Sequence, residues 1–279
     1  MKFIKLFFRT TLFSKLKIYS ISFCFILFYN SCVTKRFSVD PVFTEYKAKN
    51  YSFEGHEAKI VFPNKKSAKN YWIWRARFWG HEPQLDKALL ERGFHLVYID
   101  VSNLYGNSEA VRIWDKFYQH CIEKYGLNKK VVLEGMSRGG LIVYNWASKN
   151  TDKIFCIYAD APVCDPKSWP GGLYEGSGDP QAWQEFLLAY NLNKQTVLDY
   201  MDIPINNCIS IAKSKIPVIH VYGEDDKIVP YLENTAVLAK NFHAAGGLIK
   251  LIGKTNVGHH PHSLEDPTPI VEFILSNMN

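Results

Sequence analysis

The chain has 279 residues, 47% of them hydrophobic and 22% charged, which suits one large α/β domain with a leader and a sizeable core. Five basic residues and no acidic residue precede Cys32, and without those five charges the formal net charge falls from +6 to +1. A nearly neutral domain has no electrostatic basis for binding nucleic acid, so we expect no nucleic-acid partner.

The first 31 residues are typical of a targeting segment. Their basic residues precede a mostly apolar run at 18–29, which has the length of a signal-peptide core and is short for a membrane span. Ser31 stands directly before Cys32, a pattern that resembles a bacterial lipoprotein signal. We therefore expect lipidation of Cys32 after cleavage, a membrane attachment through that lipid anchor, and a location in the cell envelope. An uncleaved signal anchor and a plain secretory peptide are the alternatives.

Residues 32–50 are predicted to be a short polar tether, and residues 51–279 the folded domain. The cysteines of the domain show neither Cys-x-x-Cys nor paired-histidine spacing, so we expect no metal and no cofactor. Cys121 and Cys156 are expected to be buried as small hydrophobic residues, and spacing alone does not pair any of the four. The four are Cys121, Cys156, Cys164 and Cys208.

The domain alternates predicted strands and helices. The apolar runs predict strands at 58–62, 71–74, 94–99, 153–159, 216–222 and 248–252, and the helical spacings predict helices at 83–92, 108–125, 231–245 and 267–277. Ser108 is the expected N-cap of the second helix. This alternation predicts an α/β fold, a doubly wound, mostly parallel sheet with helices on both faces. Ligands bind such sheets at the carboxyl ends of the strands.

The stretch 131–147 is the most informative one in the chain. An apolar run leads into Gly-Met-Ser-Arg-Gly at 135–139, and residues 141–147 have helical character. Strand, sharp turn and helix in that order are typical of a nucleophile elbow, in which Ser137 would attack the substrate. Gly135 and Gly139 lack the side chains that would clash around such a turn.

A segment of about fifty residues, 164–215, is too long for an ordinary connection in a compact sheet. We expect a lid insertion at about 165–215 that covers the active site, with short helices near 181–190 and 195–201. Its aromatic side chains, Trp169 among them, either line a substrate pocket or form a small core of the lid.

The turn Gly-Glu-Asp-Asp-Lys-Ile-Val-Pro at 223–230 follows a late strand. Together with the elbow it resembles the α/β-hydrolase superfamily of serine esterases, lipases and peptidases, in which a Gly-x-x-Asp-x-x-Val-Pro turn carries the acid of a catalytic triad. The resemblance assigns that role to Asp226, with Asp225 and Asp160 as rivals.

The resemblance also implies a histidine in a late loop, where Gly258 and His259 match the expected pair. His259 is therefore the predicted base that takes the proton of Ser137. His260 and His262 follow at once, and three histidines could form a metal site. All three share one loop without a second ligand cluster, so we expect His260 and His262 to hold the loop.

In this superfamily two backbone N–H groups form the oxyanion hole. The first follows the nucleophile and is Arg138; the second is expected after an early strand, at Ala76. Arg75 and Arg77 on either side of Ala76 are candidates for binding an anionic group of the substrate, or else form ion pairs beside the site.

These features predict a serine hydrolase that cleaves an ester through an acyl-enzyme, with a small molecule or an acylated glycan as substrate. A peptidase with the same triad is one alternative. A non-catalytic protein that binds carbohydrate or a partner on a hydrolase scaffold is the other, although an intact serine, acid and histidine set argues against it.

Overall fold

The computed structural model describes residues 37–278, so the predicted signal peptide and Cys32 lie outside the described residues. In the described part, the strands are β1 (Ser38–Val39), β2 (Lys47–Phe53), β3 (His56–Phe62), β4 (Trp72–Arg75), β5 (His95–Ile99), β6 (Val131–Met136), β7 (Ile154–Asp160), β8 (Val218–Gly223) and β9 (Ile249–Lys254). The helices are α1 (Gln84–Glu91), α2 (Ser108–Tyr125), α3 (Gly139–Ala147), α4 (Pro180–Tyr190), α5 (Pro204–Lys213), α6 (Thr235–Ala244) and α7 (Thr268–Ser276).

All these strands join one sheet in the order β1-β2-β3-β5-β4-β6-β7-β8-β9. The six strands from β5 to β9 in that order are parallel, and β1, β2 and β3 pair antiparallel. One core cluster joins α2, α3, α5 and α6 to the sheet, and a second cluster joins α1 and α7 to it. The prediction of a doubly wound, mostly parallel sheet with helices on both faces is confirmed.

The predicted polar tether is wrong for its C-terminal part. Residues 47–53 form a full antiparallel strand between β1 and β3, and Phe43 and Tyr46 before it are buried in the second core cluster. Strand β2 exposes most of its side chains, because only one of its faces is covered. For this reason residues 47–53 form a strand although their sequence is largely polar. The folded domain begins before Tyr51.

Two local predictions also need correction. The side chain of Asn107, not of Ser108, caps α2 by accepting the N–H of Ala110 at 3.0 Å. Residues 195–201 form turns rather than a helix, whereas α5 was not predicted. Cys208, Ile211 and Ala212 of α5 lie in the core cluster that joins α2, α3 and α6 to the sheet. Helix α5 therefore belongs to the layer that covers the sheet. The insertion therefore ends before Pro204 and is shorter than 165–215.

The insertion is bound to its surroundings on two sides. Toward the loop after β8, the Asn234 carboxamide accepts the N–H groups of Cys164 and Asp165, and the Ser168 hydroxyl donates to Glu233 at 2.5 Å. Toward the loop after β5, the Tyr190 hydroxyl of α4 donates to the carbonyl of Tyr105 at 3.0 Å.

The cysteines of the described residues are all buried and free. The expectation for Cys121 and Cys156 is thus confirmed. Among residues 37–278 no helix has the length and apolar character needed to cross a membrane.

Candidate active site

Ser137 lies on the turn between β6 and α3, at the carboxyl edge of the parallel strands. Its backbone φ is +49°, a left-handed value that residues other than glycine adopt at a cost. The turn persists because its surroundings fix it: the Ser137 N–H donates to the carbonyl of Asp160 at 2.8 Å, and the Ser137 carbonyl accepts the N–H of Val163 at 2.9 Å.

The glycines of the elbow permit close packing, as the sequence predicts. A Cβ on Gly135 would lie 3.0 Å from Cγ2 of Val143, and a Cβ on Gly140 would lie 2.8 Å from Cβ of Pro162. Helix α3 can therefore approach β6 and the chain after β7 closely. Its N-terminus, with free N–H groups and the positive end of the helix dipole, lies beside the Ser137 hydroxyl.

Three side chains that are far apart in sequence form one hydrogen-bonded chain. The Ser137 hydroxyl Oγ lies 3.0 Å from His259 Nε2, and His259 Nδ1 lies 2.7 Å from Asp226 Oδ2. All three residues are at least nine-tenths buried. The structure thus brings the predicted nucleophile, base and acid together in the order that a triad requires, and their catalytic role remains a prediction.

The Asp226 carboxylate is fixed on both oxygens. Oδ2 faces His259, and Oδ1 accepts the N–H groups of Ile228 and Val229 at 2.8 and 2.9 Å. Its rival Asp225 has an exposed side chain, and only the backbone N–H of Asp225 is bonded, to the carbonyl of Val257. Of these two adjacent acids, geometry favours Asp226.

We expect Asp226→Asn to lower kcat by about three to four orders of magnitude. The asparagine carboxamide would present an NH2 group to His259 Nδ1 and hold the imidazole in the tautomer that cannot accept the serine proton. Steady-state kinetics on any turned-over ester or amide measures this. Asp225→Asn, with the same chemistry one residue away, should keep kcat within about twofold, and equal losses in both variants would refute the assignment.

The other rival acid, Asp160 at the end of β7, forms a second acid–histidine pair. Its Oδ1 lies 2.6 Å from His262 Nδ1, and its Oδ2 accepts the N–H of Ser263 and the hydroxyl of Tyr158. The rings of His259 and His262 are 4.6 Å apart between centroids. Asp160 therefore holds the histidine loop against the sheet, which is the role expected of His262.

The nitrogens of His259, His260 and His262 all lie within 4.8 Å of one another, close enough to be considered as metal ligands. His259 and His262 each already use Nδ1 on a carboxylate, and His259 Nε2 faces Ser137. The pKa of His260 is lowered by burial and by the neighbouring His262 and His259. The triad accounts for His259 without a metal, and the absence of a metal remains a prediction.

The backbone N–H predicted as the second oxyanion donor, that of Ala76, is already bonded. The Ala76 N–H donates to the carbonyl of Glu134 at 3.0 Å, because the pairing of β4 with β6 continues one residue past Arg75. The next N–H, of Arg77, has no acceptor in the described residues, and neither has that of Arg138. The Arg77 nitrogen lies 3.7 Å from the position of a Cβ on Gly139, beside the elbow. The free pair is therefore Arg77 and Arg138.

Comparison with solved structures identifies the architecture. A dipeptidyl peptidase 4 of Porphyromonas gingivalis superposes with a TM-score of 0.63 at 12% identity, covering 84% of this chain and 35% of its own. The acylaminoacyl peptidase of Pyrococcus horikoshii superposes with a TM-score of 0.58 at 12% identity, covering 77% of this chain and 38% of its own. A puromycin hydrolase superposes with a TM-score of 0.60 at 13% identity, covering 82% of this chain and 37% of its own. This chain has the α/β-hydrolase fold.

At these identities the likeness concerns the fold alone. The chain spans less than two fifths of the length of these three solved structures. No protein-family model matches the sequence, and neither does any curated protein.

Arg75 does not line a substrate pocket in this hydrolase fold. Its guanidinium is 1% exposed and lies 2.5 Å from Asp86 and 3.0 Å from Glu134, which are also buried. The same group donates to the carbonyls of Arg77 and Phe78 at 3.2 and 3.1 Å and to that of His81. Arg75 therefore supports the loop that carries the free Arg77 N–H, beneath the site rather than in it.

Arg75→Met is expected to destabilise the protein by about 3–5 kcal/mol, because it leaves Asp86 and Glu134 buried without their cation. Urea unfolding followed by tryptophan fluorescence measures the change. Arg92→Met, at an exposed arginine whose side chain bonds only the Ala88 carbonyl, is the matched control and should change stability by less than about 0.5 kcal/mol. An Arg75→Met change as small as that of the control would contradict the prediction.

Glu134→Gln is expected to alter how stability depends on pH. Burial has the largest effect on Glu134 and raises its pKa well above 4.5. The charge of Arg75 opposes this rise, and the charge of the adjacent Asp86 adds to it. Glu134 Oε2 and Asp86 Oδ1 are both buried without a hydrogen-bond partner, which also favours a proton on this pair of carboxyl groups. The folded state thus holds this proton more tightly than the unfolded state does. Its stabilising contribution is complete below pH 4.5 and is lost as pH rises through the folded-state pKa.

The unfolding free energy of the wild type minus that of Glu134→Gln should therefore fall with rising pH, at most by about 1.4 kcal/mol per unit. Urea titrations at half-unit intervals from pH 4.5 to 8 measure this difference. Parallel curves for the two proteins would show that Glu134 is ionised in the folded state.

Most of the insertion's aromatic residues form a small core of their own. Trp183, Phe186 and Tyr190 of α4 pack in sequence, with ring centroids 5.5 and 4.4 Å apart, and Trp169 packs against this cluster. A cavity of about 410 Å³ lies between 170–173 and α4, but none of the three triad residues lines it. Trp169 is therefore a packing residue of the insertion, and its predicted place in a substrate pocket has no support in these contacts.

Proposed function

We propose that the chain is a serine hydrolase that cleaves an acyl bond through an acyl-enzyme on Ser137. The observation that carries the proposal is the continuous hydrogen-bonded chain from Ser137 Oγ through His259 to Asp226, on a strained turn beside two unbonded N–H groups. An α/β-hydrolase fold supports it, because this fold presents such a turn at the edge of its sheet.

The reaction follows from these contacts. His259 Nε2 accepts the hydroxyl proton as Ser137 Oγ attacks the acyl carbon, and Asp226 stabilises the imidazolium that forms. The N–H groups of Arg77 and Arg138 bind the resulting oxyanion. When the tetrahedral intermediate collapses, His259 gives its proton to the leaving group. Water then attacks the acyl-enzyme with His259 again as base, and the acid is released with Ser137 restored.

Amide or peptide bonds are our first choice of substrate, ahead of the ester predicted from the sequence. The superposed structures include a dipeptidyl peptidase, an acylaminoacyl peptidase and a puromycin hydrolase, which supports the peptidase alternative more than a carbohydrate-directed esterase. The fold itself carries both chemistries, so the bond type must be measured.

We further propose that the enzyme works in the cell envelope, anchored by a lipid on Cys32. The support is the order of basic residues, short apolar run and cysteine in the sequence. Metabolic labelling with a lipid precursor tests it: the wild type should be labelled and Cys32→Ala should not, and an unlabelled wild type would end the proposal.

A fluorophosphonate probe tests the hydrolase proposal directly. The wild type should be labelled at Ser137, and Ser137→Ala should not be labelled, whereas Ser276→Ala on α7 should be labelled like the wild type. A folded wild type that resists the probe would instead favour the non-catalytic binding protein. For a labelled enzyme, turnover of aminoacyl anilides compared with 4-nitrophenyl esters and acetylated glycans sorts peptidase from esterase.

A further inference from the structure

The two residues with unbonded N–H groups at the elbow are both arginines. Arg138 follows Ser137 directly, and the Cβ of Arg77 lies 3.2 Å from the position of a Cβ on Gly139. Both side chains therefore begin beside the elbow, next to the N–H groups that are expected to bind the substrate's carbonyl oxygen. Neither side chain is used by the proposed reaction, which needs only the backbone of these residues.

Arg77 is only loosely paired within the protein. Its Nε is buried and has no hydrogen-bond partner, an uncommon state for a charged donor. Among residues 37–278 its one carboxylate within 4 Å is Asp100, at 3.8 Å, and the Asp100 oxygen concerned already accepts the N–H of Ser102 at 2.9 Å. The contact of 3.8 Å between Arg77 and Asp100 is too long for a hydrogen bond. Donor capacity on Arg77 therefore remains unused.

Arg138 has no carboxylate within 4 Å among residues 37–278. Its Nη1 lies 3.4 Å from the hydroxyl of Tyr105, which itself donates to Glu185 at 2.7 Å. Burial, and next the charge of Arg138, lower the pKa of Arg77, so the two cations also repel each other. The ring of Phe78 lies 5.0 Å from Arg77 and that of Tyr105 lies 5.6 Å from Arg138, and among the described residues Asp100 is the nearest carboxylate to Arg77. Because these contacts leave the two charges incompletely paired, a bound anion would stabilise them.

We infer that Arg77 and Arg138 form an anion subsite, and that the preferred substrate carries an acidic group such as a carboxylate close to the bond that is cleaved. This inference rests on the proposed function, since it concerns the same site. Guanidinium groups suit the bidentate binding of planar anions. The acid could belong to the acyl part or to the leaving group, and the two parts are tested separately.

Two pairs of esters, each an acid and its methyl ester, make the test. For the acyl part they are 4-nitrophenyl hydrogen adipate and 4-nitrophenyl methyl adipate; for the leaving group they are 4-acetoxybenzoate and its methyl ester. The readout is the ratio of kcat/KM for the acid to that for the methyl ester. For one of the two ester pairs, this ratio should be about 10- to 100-fold higher in the wild type than in Arg77→Met or Arg138→Met. That difference is the size expected of one charge-assisted contact. Comparing ratios cancels the intrinsic reactivity of each ester.

Arg92→Met is the control and should keep both the activity and the ratio of the wild type. A second measurement uses no variant: adipate should inhibit the wild type competitively, and dimethyl adipate at the same concentration should inhibit it at least about tenfold less. The anion subsite is overturned if Arg77→Met and Arg138→Met keep the wild-type ratio of kcat/KM for acid and methyl ester, and if adipate and dimethyl adipate inhibit equally. That result leaves the hydrolase proposal intact. A wild type that no fluorophosphonate labels overturns the hydrolase proposal itself.

Discussion

Ser137→Ala is expected to lower kcat by about four to six orders of magnitude while leaving the fold intact. The alanine removes the only atom that His259 Nε2 faces across 3.0 Å, so the covalent step has no nucleophile. What activity remains should come from the oxyanion N–H groups acting on a water molecule. Stopped assays over hours on the best substrate, with active-site titration of the wild type, measure the ratio.

The strained backbone supplies a matched control. Ser137→Gly should be as inactive as Ser137→Ala but more resistant to urea, by about 1 kcal/mol, because only glycine adopts a φ of +49° without cost. If the alanine variant kept more than a hundredth of the wild-type kcat, another residue would have to be the nucleophile.

His259→Ala should cost about four orders of magnitude or more in kcat, whereas His262→Ala should cost less than about tenfold. His259 contacts the serine hydroxyl, whereas the hydrogen bond of His262 is to Asp160 and its ring lies against neighbouring histidine rings. The loss in His262→Ala should appear in stability instead, by about 1–3 kcal/mol, because the buried Asp160 loses a charge-assisted partner.

Kinetics and urea unfolding on the same two preparations separate these effects. Large losses of stability in both variants are compatible with the assignment; large losses of kcat in His262→Ala with little change in His259→Ala are not. In that case Asp160 and His262 would be the working acid and base.

Much of the fold, and the contact of Ser137, His259 and Asp226, could be predicted because their signals are local. The elbow needs glycines at fixed positions around Ser137, and the buried parallel strands are continuous apolar runs. The resemblance to the α/β-hydrolase superfamily, through the Gly-x-x-Asp-x-x-Val-Pro turn and the Gly-His pair, then assigns Asp226 and His259. Each of these inferences depends on a few adjacent residues.

The features that escaped prediction depend on contacts between distant segments. Whether Ala76 or Arg77 has the free N–H is decided by where the β4–β6 pairing ends, which no local pattern records. The burial of Arg75 depends on Glu134, 59 residues away. Strand β2 has a polar sequence because most of its side chains are partly or fully exposed, next to the short edge strand β1. Arg75 could not be assigned to the core rather than to the site without knowledge of its partners Asp86 and Glu134.

The bonds between the insertion and the loop after β8 couple the position of the insertion to that of the turn carrying Asp226. Glu233 and Asn234, which hold residues 164–175 of the insertion, lie seven and eight positions after Asp226. Swinging the insertion outward would break those bonds or pull the Asp226 turn away from His259. With those bonds intact, a displacement of the insertion would therefore also displace Asp226, the acid of the predicted triad.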